Sequence, residues 1–529
     1  MTEMLDRPLG LSRLGPWLGA MLEIEARPAL LVLLTGIPAL LAAWTLWSTD
    51  LILARLGVVD LLYNLAGGWH IANGQMAHDG FRDAAGQLNF LLTALGFQIA
   101  GPSVRAFLVG EIVMLAGLFT LACIAAAPRL PLVAAAVFVL FNALPAVMPV
   151  NIGDPLDAYG FAMSYNRYGW GAIGALSLIL FVPPRLGPTV RRLDIAAAAI
   201  LLAAMFYIKL TYFVVGIAAL ILALLVSSHV RAARAGWIGL LMALLINAAA
   251  PYSHPYLADF MLAATSGFGK THAANLVRVV FNNGIECAFY GAGVIVALQL
   301  WRRGLAPLRL PAAAALLFAG GLALLSQNTQ AHGAQLGIAI AFLLYDALAR
   351  PGRAFTVPLG LHAALLLAPL ITIGSMAIAL AGYHVAASRA DKLEIVDRTN
   401  LRGLAMPADE GAQPNYVAMM IEAADLFAAA GGPPGRIQVL DRINPLPFML
   451  GAPPPRGRDL WWEPAMPARP AEAVLGDADH ALLPKTPAGA ALRARMTAAY
   501  GDYLALHFPF RRETEHWTVL SRRPPGGSG

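Results

Sequence analysis

Eleven apolar runs constrain this chain more than any other feature. They lie at roughly 28–48, 105–127, 131–147, 167–183, 193–208, 210–227, 236–250, 284–301, 308–325, 332–349 and 356–382. Each approaches the ~20 residues that an α-helix needs to cross a hydrocarbon layer. Backbone polar groups inside lipid must be satisfied within the segment itself, so such runs read as helices. Over all 529 residues, 58% are hydrophobic and 13% charged, and mean hydropathy is +0.64. A soluble multidomain protein, a disordered chain and a coiled coil are excluded by these figures. The two cysteines, Cys123 and Cys287, fall inside apolar stretches, so no disulfide framework is expected.

The net charge of +6 and pI near 9.4 do not indicate a nucleic-acid partner, because the basic residues form no aromatic-interleaved patch. They sit between the runs and alternate in density. Six short segments on one side hold 14: Arg7, Arg13, Arg27, Arg129, Arg185, Arg191, Arg192, Arg231, Arg234, Arg302, Arg303, Arg309, Arg350 and Arg353. The longer segments on the other side hold seven: Arg55, Arg82, Arg105, Arg167, Lys209, Lys270 and Arg278. Positive residues favour the cytoplasm. The expected protein is therefore a polytopic α-helical membrane protein of about 11 transmembrane helices with a cytoplasmic N-terminus. The first run lies too far from the start, and is too long, for a cleaved signal peptide.

Residues 1–382 form the expected transmembrane domain, with a structured first outer loop at 49–104. Within that loop, Leu61, Leu65, Trp69 and Ala72 have helical spacing, which predicts an interfacial helix over 60–73, and 88–100 reads as a second amphipathic stretch. From about 383 the composition changes, and 383–529 reads as a small α/β extracytoplasmic domain. Helices are predicted at 415–430 and 489–507, and strands at 436–441, 480–484 and 514–521.

The polar residues concentrate on the sparsely basic side. Asp60 opens the first loop and reads either as a helix N-cap or as a reactive carboxylate. Asp79 with His78 reads as an acceptor-orienting pair, a metal ligand pair or a turn before Gly80. Arg167 at a helix edge suits bidentate phosphate binding or, equally, pairing with Asp157. Lys209, between two apolar runs, needs a polar cavity or a lipid phosphate, or acts as an interfacial anchor. Asp154 and Asp157 leave a divalent cation open, though two carboxylates at this spacing are a weak metal signal. The loop 251–283, with His254, Asp259, Lys270, His272 and Arg278, reads as a lid. The amide-rich turn from Ser326 and Gln327 to His332 suits sugar hydroxyls or a helix cap. Trp461 and Trp462 near Asp441-Arg442 suit sugar stacking or a core. No GxSxG, HExxH or CxxC spacing occurs.

In motif, the stretch from Asp60 to Ser103 resembles the first extracytoplasmic loop of the GT-C membrane glycosyltransferases. That class includes the lipid A aminoarabinose and galacturonic acid transferases and the protein O-mannosyltransferases. Asp60, Tyr63, Ala66, Gly74, Asp79, Phe81 and Gly101-Pro102-Ser103 occupy the places of the class pattern. Leu61 stands where the class often carries Glu, and His78 where it often carries Pro.

The resemblance implies an inverting transfer from a polyprenyl-phosphate-linked sugar donor to an envelope lipid or glycan, at the periplasmic face of a bacterial inner membrane. It implies Asp60 as the base, with Asp79 as second catalytic candidate. Arg167, Lys209, Lys270, His254, Gln327 and His332 are the candidate donor contacts, and His78 and Tyr165 the candidate acceptor contacts. No resident cofactor is expected, because the sugar arrives activated. Competing readings are a membrane transporter or lipid-linked glycan flippase, and a glycan polymerase or ligase. The first two would need polar groups inside helices, where Glu111, Lys209, Asn247, Glu286 and Asp346 are the main ones.

Overall fold

The computed structural model describes residues 24–185, 188–266, 272–327, 335–349, 359–407, 412–429, 435–462, 466–485 and 490–524. A helix lies on each of the eleven apolar runs. The elements used below are α1 Pro28–Trp47, β1 Ile52–Leu53, α2 Val58–Ala72, α3 Leu88–Ala100, α4 Ala106–Ala126, α5 Leu132–Ala143, α6 Ser164–Phe181, α7 Pro188–Ile208 and α8 Leu210–Val226. They continue with α9 Arg234–Ala249, α10 His254–Thr265, β2 Leu393–Ile395, β3 Leu404–Pro407, α11 Ala412–Ala428, β4 Ile437–Val439, β5 His480–Pro484, α12 Ala490–His507, β6 Phe510–Glu513 and β7 Trp517–Ser521.

By length and composition, five described helices suffice to cross a membrane: α1, α4, Gly284–Arg302, Arg309–Ser326 and Ala363–Ala387. The number is six if α9 and the following Pro251–Thr265, bent by 64° at their junction, form one broken span. Several others, such as Leu132–Val147 and α8, are apolar but shorter. These helices carry many exposed large apolar side chains, among them Leu40, Trp44, Leu225, Ile246 and Ile285. Such surface is stable against lipid and unusual against water.

Contacts between the loops separate the bundle into two ends. At one end Arg129 is buried and ion-paired with Asp194 (Nη2–Oδ2 2.6 Å), and its Nε donates to the Val182 carbonyl at 2.7 Å. Arg309 Nε donates to the Phe181 carbonyl at 3.0 Å, and the Arg185 amide to the Pro128 carbonyl at 2.8 Å. At the other end Arg105 reaches the Trp47 carbonyl (2.9 Å) and Arg55 pairs with Asp157. The segments around Arg129, Arg185 and Arg309, which the arginine count assigns to one side, thus gather at one end.

The first outer loop and the C-terminal region are one packed unit. β1 pairs parallel with β3, Ile52 against Leu404, in a three-stranded sheet of order β1-β3-β2. Arg82 and Asp459 form a two-pronged ion pair, and their backbones bridge. Trp69 Nε1 donates to the Ala452 carbonyl at 2.8 Å. Leu53, Leu404, Phe448, Leu460 and Trp517 share one core with the helices. A second core, with Trp462, Leu475, Met496 and Tyr500, lies beneath the four-stranded sheet β4-β5-β7-β6. The boundary at 383 therefore divides a sheet, because β1 contributes a strand from the other side of it. α2 also differs from the surface helix that its spacing predicts. Ten of its fifteen residues are buried, packed between α3 and the C-terminal region.

Two glycines hold the loop in place. Gly57, the residue that caps α2, is left-handed (φ 73°), and a Cβ there would lie 2.9 Å from that of Ala162. Gly86 lies against the end of α7, where its amide donates to the Ile208 carbonyl at 2.9 Å and an added Cβ would meet the Tyr207 carbonyl oxygen at 2.2 Å. Gly86→Val forces these backbones apart next to Lys209. Overpacking of this kind costs about 1–3 kcal/mol, so the midpoint of thermal unfolding in detergent falls; an unchanged midpoint refutes the contact.

Candidate functional site

Three chain segments converge on Asp60. The first is α2 itself, where Asp60 stands in the first turn; Gly57 is the N-cap and no side chain caps the helix, so the capping reading of Asp60 is corrected. Its backbone carbonyl accepts from Asn64 Nδ2 at 2.9 Å. No hydrogen bond to either carboxylate oxygen of Asp60 occurs among the described residues. Burial pushes this carboxyl from 3.8 to about 6, and the Arg442 guanidinium partly opposes the shift.

The second segment is the start of α6 with the α7–α8 break. The Tyr165 phenol senses the charges of both Asp60 and Asp83. Lys209 lies in extended backbone between α7 and α8 (φ −166°). Its Nζ stands 5.3 Å from the centroid of the Tyr165 ring, within range of a cation–π attraction. Burial lowers this ammonium to about 8. The break leaves helix-end backbone that packing against Gly86 stabilises.

The third segment is the C-terminal region. Arg442 follows β4 and lies over the Trp461 ring, 5.6 Å from its centroid. Trp461 meets Tyr63 edge-on at 5.6 Å. Trp462, the next residue, belongs instead to the second core.

Asp83 completes the cluster. Its Oδ1 accepts from Tyr63 Oη at 2.8 Å and from the Ala85 amide at 2.7 Å. Burial nevertheless raises it to about 6, outweighing both hydrogen bonds. Two carboxyls of raised pKa, two phenols, an indole and two cations thus meet where a first-loop helix, a helix break and a sheet edge come together. Perturbed carboxyls in such a setting are characteristic of reactive sites.

Of the residues singled out in the sequence, Asp60, Tyr165 and Lys209 come together. His78 lies within electrostatic reach of Asp83, its Nδ1 2.9 Å from Asp259 Oδ2. Arg167 does not join the cluster. Its side chain is buried and pairs with Glu111 (Nη2–Oε1 3.0 Å), while Nε donates to the Pro145 carbonyl and Nη1 to Asn151 Oδ1 and the Ala162 carbonyl. Four of its five donors are used within the protein, and Asp157 pairs with Arg55 instead. Asp79 is exposed on a turn, and His254 is exposed with Nε2 on the Ala249 carbonyl at 3.1 Å. Gln327 follows Arg309–Ser326 as its C-cap. Lys270 and His332 lie outside the described residues.

Asp83 and the placement of Arg442 escape a reading of the sequence. Arg82-Asp83 looks like a solvated pair, but Arg82 is turned away to Asp459. The only signal was the Tyr63-to-Asp83 interval within one loop. Among the described residues, three potential metal ligands approach one another at Glu422, Glu515 and His516, in the C-terminal region; Asp154 and Asp157 do not belong to that group.

No family model and no curated protein matches the chain. Among solved structures the fold is similar to that of ArnT from Cupriavidus metallidurans. In its apo state the likeness is at 12% identity, covering 93% of this chain and 98% of that one, with a TM-score of 0.48. Bound to undecaprenyl phosphate, the figures are 13%, 94%, 99% and 0.47. Arabinofuranosyltransferase AftD from Mycobacteria is similar at 14% identity over 88% of this chain and 36% of its own, with a TM-score of 0.43. The chemistry below stands on the residues of the site.

Proposed function

We propose that this protein is a GT-C type glycosyltransferase with about eleven membrane spans, which takes sugar from a polyprenyl-phosphate carrier and places it on an envelope lipid or glycan at the periplasmic face. The observation that carries the reading is Asp60: a half-buried carboxylate with no hydrogen bond to its oxygens among the described residues, with Arg442 close by and Lys209 over the ring of Tyr165. The resemblance of the first loop supplies the reaction class, and the site supplies the roles.

Asp60, raised to about 6, remains largely ionised at neutral pH and is a stronger base than an ordinary carboxylate. It takes the proton of the acceptor hydroxyl as that oxygen attacks the anomeric carbon. The bond from that carbon to the phosphate oxygen breaks, and the electron pair leaves on the phosphate. Lys209 and Arg442 stabilise this growing anionic charge, as positioned cations do in a site from which water is excluded. Trp461 offers a face on which a sugar ring stacks. The chain's own cations supply this charge compensation; a divalent ion is not required by the scheme.

Lys209→Ala weakens binding of undecaprenyl phosphate to the purified protein by about tenfold or more, the usual worth of a hydrogen bond to a charged group. Unchanged affinity removes Lys209 from the donor site. The reading as a whole is tested by mass spectrometry of envelope glycolipids from cells with and without the gene. One lipid or glycan species loses a sugar in its absence; identical profiles reject the proposal.

A further inference from the structure

His78 has a backbone and a partner that a simple turn does not require. Its φ is 71°, in the left-handed region that residues with a Cβ seldom enter and that persists where the surroundings demand it. The side chain is 8% exposed and Asp259, its partner, 13%. The ring lies against Tyr256 at 4.6 Å, and Tyr256 in turn meets Phe206 edge-on at 5.5 Å. α10 is thereby fastened to the first outer loop.

A carboxylate only accepts hydrogen bonds. When the imidazole is neutral, Asp259 Oδ2 at 2.9 Å from Nδ1 therefore keeps its hydrogen on Nδ1. Nε2 is left with a lone pair. That atom is buried and has no hydrogen-bond partner among the described residues. Buried polar atoms are nearly always paired, and an orphan calls for an explanation such as a bound ligand. His78 and Asp259 lie within electrostatic reach of Asp83, whereas Asp60 senses Arg442. The imidazole thus stands beside Asp83, displaced from the attacking position at Asp60.

We propose that His78 Nε2 accepts a hydrogen bond from a second hydroxyl of the acceptor, with Asp259 as the positioning residue that fixes its tautomer and ring. The acceptor is then a polyhydroxylated head group, a sugar, rather than a serine or threonine side chain with one hydroxyl. One hydroxyl loses its proton to Asp60 and forms the new bond; the other is held by His78, which gains and loses no proton. This assignment rests on the glycosyl-transfer reading given above.

The test uses the full-length protein in vesicles that contain their own lipid-linked donor. They are offered either glycolipid extracted from the same envelope or a serine-containing peptide, and transfer is read by mass spectrometry. His78→Phe, which keeps a ring against Tyr256, raises the glycolipid concentration for half-maximal transfer about tenfold. It leaves inhibition by added undecaprenyl phosphate unchanged. His78→Gln, whose Oε1 offers the same acceptor, restores most of the loss, and Asp259→Asn shows a several-fold part of it.

An unchanged half-saturation in His78→Phe overturns the proposal, as does a change in undecaprenyl phosphate inhibition alone, or transfer to the peptide. Loss in the Gln variant equal to that in Phe also overturns it, since packing rather than a hydrogen bond is then at stake. Wild-type transfer by Asp60→Asn would instead reject the underlying reaction, which separates the two failures.

Discussion

Asp60→Asn is expected to lower sugar transfer by about 10²–10⁴-fold, the usual contribution of a positioned base, while the protein inserts and purifies normally. The substitution keeps the shape of the side chain and removes only its basicity. The same variant is expected to be more stable at neutral pH. Burial holds the Asp60 carboxyl up at about 6, against 3.8 for an ordinary aspartate. A raised pKa means that the charged form is disfavoured in the folded protein, so the carboxyl favours folding below pH 3.8 and loses that contribution as pH rises through 6.

The amide of the Asp60→Asn variant carries no charge at any pH. The variant's advantage in unfolding midpoint over the wild type is therefore largest above about pH 6 and closes toward about pH 4. In the wild type, transfer declines as pH falls through about 6 and the base is protonated. A variant that is inactive but less stable than wild type at neutral pH would point to a structural carboxylate, and full activity would remove the proposed base.

Glu111→Ala is expected to cost about 3–5 kcal/mol of stability, because it leaves the buried Arg167 guanidinium without its counter-charge. The pair lies where α4 meets α6, with Arg167 also tied to the carbonyls of Pro145 and Ala162. Thermal unfolding in detergent, followed by tryptophan fluorescence, gives the measurement. Glu111→Gln, which still accepts a hydrogen bond, loses less. If instead Glu111→Ala unfolds like the wild type and weakens undecaprenyl phosphate binding, Arg167 serves the ligand and not the bundle.

Much of the architecture was legible because hydrophobic period is a local property. α3 begins and ends at the residues that its amphipathic stretch marks, 88 and 100, and β5 occupies the predicted 480–484. The predicted strand at 514–521 is present as β7, Trp517–Ser521, but as the second arm of a hairpin whose other strand is β6, Phe510–Glu513. Its first strand, Phe-Arg-Arg-Glu, is exposed at every position and so shows no alternation of apolar residues.

The site was only half legible, for a different reason. Asp60, Tyr165 and Lys209 announce themselves as polar residues at the edges of apolar runs. Asp83 and Arg442 acquire their roles from pairing partners elsewhere in the chain. Arg82 turns to Asp459, which leaves Asp83 to Tyr63, and the β1–β3 pairing brings the C-terminal region against the first loop. Arg167 misleads in the same way, since its partner Glu111 sits inside an apolar helix.

The parallel match of Ile52 with Leu404 also has a temporal side. A ribosome delivers the strand next to Asp60 more than three hundred residues before the strand that receives it. Until then the growing polypeptide has its reactive acid without Arg442 or Trp461. On the proposed reading, a product cut short by a premature stop anywhere before β3 would thus lack a complete site even if every upstream helix were inserted.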